Sequence, residues 1–319
     1  MERPEILMDV SRLTGDVSLE LFNSTIRERT FRQFKSAFDE KSVSALFGLN
    51  VLESLLTAER VPATYIDVIT GGLPKRLTDL QRGSDKSTLA MVSAALRRGA
   101  TIRVSDIQRF HPALEEFIQG VRVGFAARAQ ANVYLTPPQR GGFEPHFDTT
   151  DIFIVQCLGA KEWTLFNDYV GRIELPLLDT PWDPDRYCPS SDAERLTLTR
   201  GDTLYLPRGV MHQARCAEES SLHLTISIAP LSTADVLLQE IRRLAEADVV
   251  LRRRLEWSFD DAIERSAALE LDVRRSLCRL IESVDVRAVL AAEQARLQTP
   301  LRQAPQAAQL QAAIADSPT

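Results

Sequence analysis

Cysteine and histidine are scarce in this chain, with four of each among 319 residues. The cysteines, Cys157, Cys188, Cys216 and Cys278, form no C-x-x-C pair, which excludes a zinc ribbon, a dithiol redox motif and a disulfide-built scaffold. Free thiols in a reducing cytoplasm are the expectation. No stretch approaches the roughly 18 consecutive apolar residues of a membrane span, and no apolar export segment follows residues 1–6. An excess of positive charge is missing too: Lys and Arg total 38 against 44 Asp and Glu, a net charge of −6. General electrostatics therefore repels phosphate. Neither membrane binding nor direct nucleic-acid binding is expected, and only a local basic groove would reverse the second. No internal repeat is visible, which excludes solenoids and propellers.

Three zones are present. Residues 1–120 read as mostly helical. Phe31, Phe34 and Phe38 recur at helical spacing, as do Leu46, Leu49, Leu52, Leu55 and Leu56, and Ser87 to Arg98 is amphipathic. Residues 61–70 alternate as a strand closed by Gly71-Gly72, Thr101 to Val104 is a short strand, and a helix is expected over 106–119. Residues 121–230 change character. Short strands are expected at Asn132 to Thr136, Asp151 to Leu158, Lys161 to Phe166, Thr203 to Leu206 and Leu222 to Ile228, a series that suggests an all-β barrel or sandwich. Asp151 to Leu158 is almost wholly apolar, as a strand buried on both faces requires. Residues 167–195, with Pro176, Pro181, Pro184 and Pro189, form a long irregular excursion of the kind that frames substrates. Residues 231–297 return to helix, with apolar stripes at Val236, Leu237, Ile241, Leu244 and at Leu277, Leu280, Ile281, Val284. Such a helical hairpin is a dimer interface or an intramolecular brace. The tail, 298–319, reads as flexible.

The informative motif lies in the second zone. His146 and Asp148 stand two residues apart behind Pro145, so on a strand both face one side while Phe147 faces the other. Far along the chain, Gly201-Asp202 reads as a turn before Thr203-Leu204-Tyr205-Leu206, and Pro207-Arg208-Gly209 bends the chain ahead of His212. Two ligands from one strand and a third from an antiparallel neighbour make a three-ligand face. Two histidines and one carboxylate leave coordination positions open, as a non-haem iron oxygenase requires.

The segments around these residues resemble a known family. Asn132 to Pro138, Gly142 to Asp148, Gly159 to Trp163, Gly201 to Ala214 and Ser221 to Thr225, in that order, are similar to the JmjC-type cupins of the ribosomal oxygenase group. The resemblance implies a mixed α+β protein: a double-stranded β-helix (cupin or jelly-roll) core within a catalytic domain of residues 1–230, a helical N-terminal elaboration, and a helical dimerisation region at 231–297. It implies Fe(II) held by His146, Asp148 and His212, with 2-oxoglutarate as cosubstrate and O2 as oxidant. Lys161 resembles the lysine that meets the distal carboxylate of 2-oxoglutarate, and Asn132, Tyr134 and Ser227 match polar positions around the cosubstrate. Physical chemistry agrees for Lys161, because a carboxylate taken out of water needs a cation there. His223, flanked by apolar residues, reads as a packed core histidine.

The expected function is a cytoplasmic, homodimeric 2-oxoglutarate-dependent hydroxylase acting on an amino-acid side chain in a protein or peptide and releasing succinate and CO2. The alternatives are hydroxylation of a small molecule or natural-product peptide, a metal-binding cupin that does not use 2-oxoglutarate, and a non-catalytic adaptor on an inactive barrel. Lys161 discriminates the second, since without a buried cation the cosubstrate has no anchor.

Overall fold

The computed structural model describes residues 10–81, 86–254 and 266–299. Its strands are β1 (Arg32–Phe34), β2 (Ile66–Thr70), β3 (Leu73–Arg76), β4 (Thr101–Val104), β5 (Ala127–Thr136), β6 (Asp151–Leu158), β7 (Lys161–Phe166), β8 (Tyr169–Val170), β9 (Cys188–Pro189), β10 (Ala193–Leu198), β11 (Thr203–Leu206), β12 (His212–Arg215) and β13 (Ser221–Pro230). Eight of them form one sheet in the order β1-β11-β6-β13-β5-β4-β2-β3, and three form a smaller sheet, β10-β7-β12. The registered pairings are antiparallel.

Side-chain alternation divides the core. On β6, Ile152 and Ile154 join Trp163 and Leu165 of β7, Leu198 of β10, and Leu204 and Leu206 of β11 in a cluster shared by strands of both sheets. The alternate residues Phe153, Val155 and Cys157 join the larger cluster with Phe22, Leu46, Phe117 and other residues of the N-terminal helices. A strand that serves two cores has no solvent face, which explains the apolar run expected for it. β13 differs: Leu222, Leu224, Ile226 and Ile228 enter the helical core, while His223, Thr225 and Ser227 take the opposite face.

Several expectations for the first zone are corrected. Residues 1–120 are not simply helical, since β1 to β4 extend the large sheet at both edges. Phe34 lies on β1, paired with β11, and Phe38 sits in the link to the helix Glu40–Leu46. Three phenylalanines at helical spacing suit an edge strand plus a turn equally well, and pairing to Thr203–Leu206 decides. The strand expected over 61–70 begins only at Ile66, after a 3-10 turn at Ala63–Tyr65. The helix expected from 106 is a 3-10 turn, Ile107–Phe110, followed by a helix at Pro112–Gly124. Pro112 opens that helix because its missing N–H is not needed there, and His111 caps it, Nδ1 accepting from Leu114 N at 3.2 Å. β10 was hidden in the second zone, and the long excursion contains the β8–β9 pair.

By its contacts the chain divides after Ala229. The second unit contains helices Thr233–Ala247, Val249–Arg252, Ser266–Ser283 and Val286–Gln298, more than the hairpin expected. Ser232 and Asp235 form a reciprocal capping box at its start. Buried Glu240 accepts from Arg243 at 2.9 and 2.8 Å and from Asp285 N at 3.0 Å, tying the first helix to the start of the last. The expected flexible tail lies, from residue 300 onward, outside the described residues, as do residues 1–9. Among the described residues no helix is long and apolar enough to cross a membrane.

Candidate metal centre

His146 lies outside any regular strand, yet it pairs with His212, the first residue of β12, through one antiparallel bridge. His146 N donates to His212 O at 3.1 Å, and His212 N donates to His146 O at 2.7 Å. Residues opposed in this way project their side chains to the same face. The two rings lie 4.6 Å apart. Asp148, two residues on, turns to the same side, and His212 Nε2 lies 3.7 Å from Asp148 Oδ2. One donor atom from each of His146, Asp148 and His212 lies within 4.8 Å of the other two. Atoms bonded at about 2 Å to one ion lie at most about 4 Å apart, so a shared ion would draw the three side chains together. Phe147 takes the opposite side and is buried against Tyr169, Tyr187 and Met211.

Backbone carbonyls orient both imidazoles. His146 Nδ1 donates to Glu144 O at 2.8 Å, and His212 Nδ1 donates to Val210 O at 2.9 Å. Each ring therefore carries its proton on Nδ1 and offers a bare Nε2 lone pair, the arrangement of a metal-binding histidine. Burial lowers the His212 pKa to about 4, and the nearby His146 acts in the same direction. His212 is thus a neutral imidazole at physiological pH.

The glycine, proline and aspartate signals before His212 are structural. Gly201 has φ +92°, and a Cβ there would lie 2.3 Å from Phe38 O. Asp202 accepts from Ser36 N at 2.8 Å and from Thr199 N at 2.9 Å, which closes the turn into β11. Gly209 has φ +85° and no room for a side chain beside Ile173 O. Its N donates to Asp148 O at 2.9 Å, and its carbonyl accepts from Tyr169 Oη at 2.9 Å. Asp151, at the start of β6, accepts from Arg208 N at 3.0 Å. The Pro207-Arg208-Gly209 bend is therefore pinned between the Asp148 backbone and β6, which delivers His212 in register.

Beyond the triad, one cavity is lined by Tyr134, Lys161, Trp163, His223 and Thr225 together with His146, Asp148 and His212. Lys161 is only 2% exposed, so it is no surface lysine. Its Nζ donates to Thr136 Oγ1 at 3.0 Å, and no carboxylate lies within 4 Å among the described residues. Burial lowers its pKa to about 8. An ammonium has three donors, and one hydroxyl leaves two of them for a guest. Two more buried polar atoms at this cavity, Trp163 Nε1 and His223 Nδ1, have no partner. A cavity holding a buried cation with spare donors and orphaned polar atoms fits an anionic, oxygen-rich ligand.

Of the other expected residues, Tyr134 lines the cavity and stacks on His223 at 4.9 Å with parallel rings. Asn132 and Ser227 do not join them. Asn132 Oδ1 accepts from Asp106 N at 3.1 Å and so secures the turn after β4, and Ser227 lies farther along β13, opposite Ile152. Sequence reasoning missed His223, Thr136 and Trp163. The signal for His223 was the alternation Leu222-His223-Leu224-Thr225, which places it on the face of Thr225 rather than among the leucines.

A family model described as the JmjC domain matches residues 103–236. Ribosomal oxygenase 1 of Homo sapiens is 34% identical over 252 residues, covering 75% of this chain and 38% of that protein. A protein of Dictyostelium discoideum named bifunctional lysine-specific demethylase and histidyl-hydroxylase NO66 is 28% identical over 258 residues, covering 76% of this chain and 44% of that protein. The chain thus spans less than half the length of these curated relatives. A solved structure of the Escherichia coli ribosomal oxygenase YcfD is similar with a TM-score of 0.49 and 14% identity, over 85% of this chain and 69% of that one. Another YcfD structure, in complex with cobalt and 2-oxoglutarate, has a TM-score of 0.45 and 12% identity, over 81% and 67% of the two chains. Residues 103–236 of this chain therefore form a JmjC domain.

Proposed function

We propose that this chain is an Fe(II)- and 2-oxoglutarate-dependent oxygenase that hydroxylates an amino-acid side chain in a protein or peptide. The observation that carries the reading is the shared cavity of the His146-Asp148-His212 face and the buried, carboxylate-free Lys161. Three ligands on one face of an ion leave the remaining positions for a chelating keto acid and oxygen. Iron and 2-oxoglutarate, when bound, supply the oxidising chemistry that inserts hydroxyl into a C–H bond and releases succinate and CO2. The chain's own part is placement. His146 and His212 donate Nε2 from rings locked on carbonyl oxygens, and Asp148 offers the anionic oxygen. Lys161, held by Thr136, would meet the distal carboxylate through a charge-assisted bond and so favour a dicarboxylate of matching length. Trp163 and Ile152 line the inner wall.

The names of the relatives point to a ribosomal component as substrate and to histidine as the side chain to test first. Homodimerisation through residues 231–297 is part of the same reading. Leu237, Ile241, Leu277 and Ile281 are 45%, 40%, 48% and 74% exposed within the second unit, an apolar surface that a second copy would cover. Four free cysteines suit a reducing cytoplasm. The test is anaerobic loading with Fe(II) and 2-oxoglutarate, then air, in the presence of ribosomal proteins, with mass spectrometry for a gain of about 16 Da and a succinate assay; the chemistry supplied by the bound group sets that mass. Gain on a substrate with wild type and none with Asp148→Ala supports the reading. Succinate formation that is identical in the Asp148→Ala protein would refute it.

A further inference from the structure

An acidic chain has gathered into one cleft four arginines that have no side-chain partner among the described residues. The cleft has a volume of about 780 Å³ and lies over the outer face of the small sheet. Its floor is set by register. Arg195 of β10 and Gln213 of β12 both oppose Thr164 of β7, while Thr197 and Arg215 both oppose Glu162. All six of these outward positions are polar, and the inward alternates of β7, Lys161, Trp163 and Leu165, are buried. Arg98 and Arg140 stand on the wall; the Arg140 guanidinium lies across Gly99, where a Cβ would meet Nε at 2.6 Å. Among the described residues, none of the four guanidinium groups has a hydrogen bond or an ion pair. Arg215 has none even though Glu162 is directly opposite. The cleft's carboxylates are Glu144, which accepts from Gln213 at 3.4 Å, and Glu162.

We propose that this arginine cleft binds the phosphate backbone of single-stranded RNA. The composition selects the partner. A protein partner needs apolar anchors at its centre; the six outward floor positions supply none, and the apolar residues of the lining, among them Ile69, Phe143 and Leu196, are outnumbered by polar and charged ones. Nucleic-acid interfaces are polar, wet and positive, and guanidinium forks match phosphate oxygens bidentately. A concave cleft admits a strand where a duplex would meet only its rim. The choice of RNA among phosphate chains rests on the ribosomal reading above; the cleft itself does not. Gly142 and Phe143 line both this cleft and the metal cavity, so RNA held here keeps an attached protein substrate beside the site. Without base contacts, binding is independent of sequence.

The experiment is fluorescence anisotropy of the full chain with a labelled oligouridylate and, separately, a labelled polyglutamate peptide of equal charge. Four phosphate contacts at about 0.7 each give a slope of log affinity on log salt of about −3, a loss of about 50-fold between 50 and 200 mM. Arg98→Gln, Arg140→Gln, Arg195→Gln and Arg215→Gln combined should weaken RNA binding at 50 mM salt by about tenfold or more and flatten that slope. A control, Arg29→Gln, Lys35→Gln, Lys41→Gln and Arg60→Gln combined, removes the same charge elsewhere and should leave both unchanged. The proposal is overturned if wild type does not bind RNA, if the cleft variant binds as wild type does, if the control loses as much, or if polyglutamate binds and RNA does not. Turnover is not measured, so failure here leaves the hydroxylase reading untouched.

Discussion

Lys161 offers the sharpest test of the cosubstrate site, because its burial has a thermodynamic cost that a ligand must relieve. The side chain is 2% exposed, with one hydroxyl partner, and burial brings its pKa from 10.5 to about 8. At about 1.36 kcal/mol per pKa unit, that difference is roughly 3 kcal/mol. Below pH 8 the group is protonated in both the folded and unfolded chains, and the full penalty opposes folding. Between pH 8 and 10.5 the unfolded chain still holds the proton and the folded chain has released it, so stability rises by that amount. Lys161→Met replaces the ammonium with an apolar chain of similar length. The expected result is that the variant, free of ligand at pH 7, melts no lower than wild type. The stability difference between the two proteins should then move by roughly 3 kcal/mol in favour of wild type from pH 8 to 10.5. Adding 2-oxoglutarate with Mn(II) as a redox-inert stand-in should raise the wild-type Tm by about 5–10 °C at a hundredfold excess over Kd, and leave the variant unmoved by the dicarboxylate. Calorimetric melts across pH, with and without ligand, read all three. A variant that melts well below wild type at pH 7 and still responds to 2-oxoglutarate would refute the assignment.

Three further outcomes follow from the geometry. His146→Ala or Asp148→Ala should weaken Mn(II) binding at least about a hundredfold in calorimetric titration, since each removes one of three first ligands; near-normal affinity in both would show that the ion sits elsewhere. His212 has a folded pKa of about 4 against 6.5 for the unfolded group. The unfolded chain therefore binds the extra proton first on acidification, and metal-free stability should fall by roughly 3 kcal/mol from pH 6.5 to 4. Urea denaturation of His212→Gln should show a shallower loss over that window. Gly159, in the turn between β6 and β7, has φ +62° and a would-be Cβ 2.1 Å from Ser220 O, so Gly159→Ala should lower stability by more than about 2 kcal/mol; an unchanged urea midpoint would contradict the close approach.

Residue order was enough to pick out the His146-Asp148-His212 cluster, because the requirements are local. His146 and Asp148 share a side by their spacing of two, and Pro207-Arg208-Gly209 announces a bend before His212. The two-faced strand β6 was readable from its unbroken apolar run, and Lys161 from its parity with Trp163 and Leu165. Non-local facts were beyond reach. Phe31, Phe34 and Phe38 carry a helical period, and only pairing with β11 makes Arg32–Phe34 a strand. His223 looked like core until β13 was seen to send its leucines toward the helices and its polar residues toward Lys161 and Tyr134. Asn132 has the right chemistry for a ligand pocket, yet its side-chain oxygen accepts from the Asp106 backbone N–H.

Local order thus sets which side chains can ligate, where the chain must turn, and which strands have no wet face, because backbone sterics and side-chain alternation act over a few residues. Long-range pairing alone decides that His146 and His212 meet across one bridge, that a lysine is stranded without a carboxylate, and that arginines from β10, β12 and two loops share a cleft. Those are contacts between segments far apart in the chain, and burial and charge exist only once the sheets have closed.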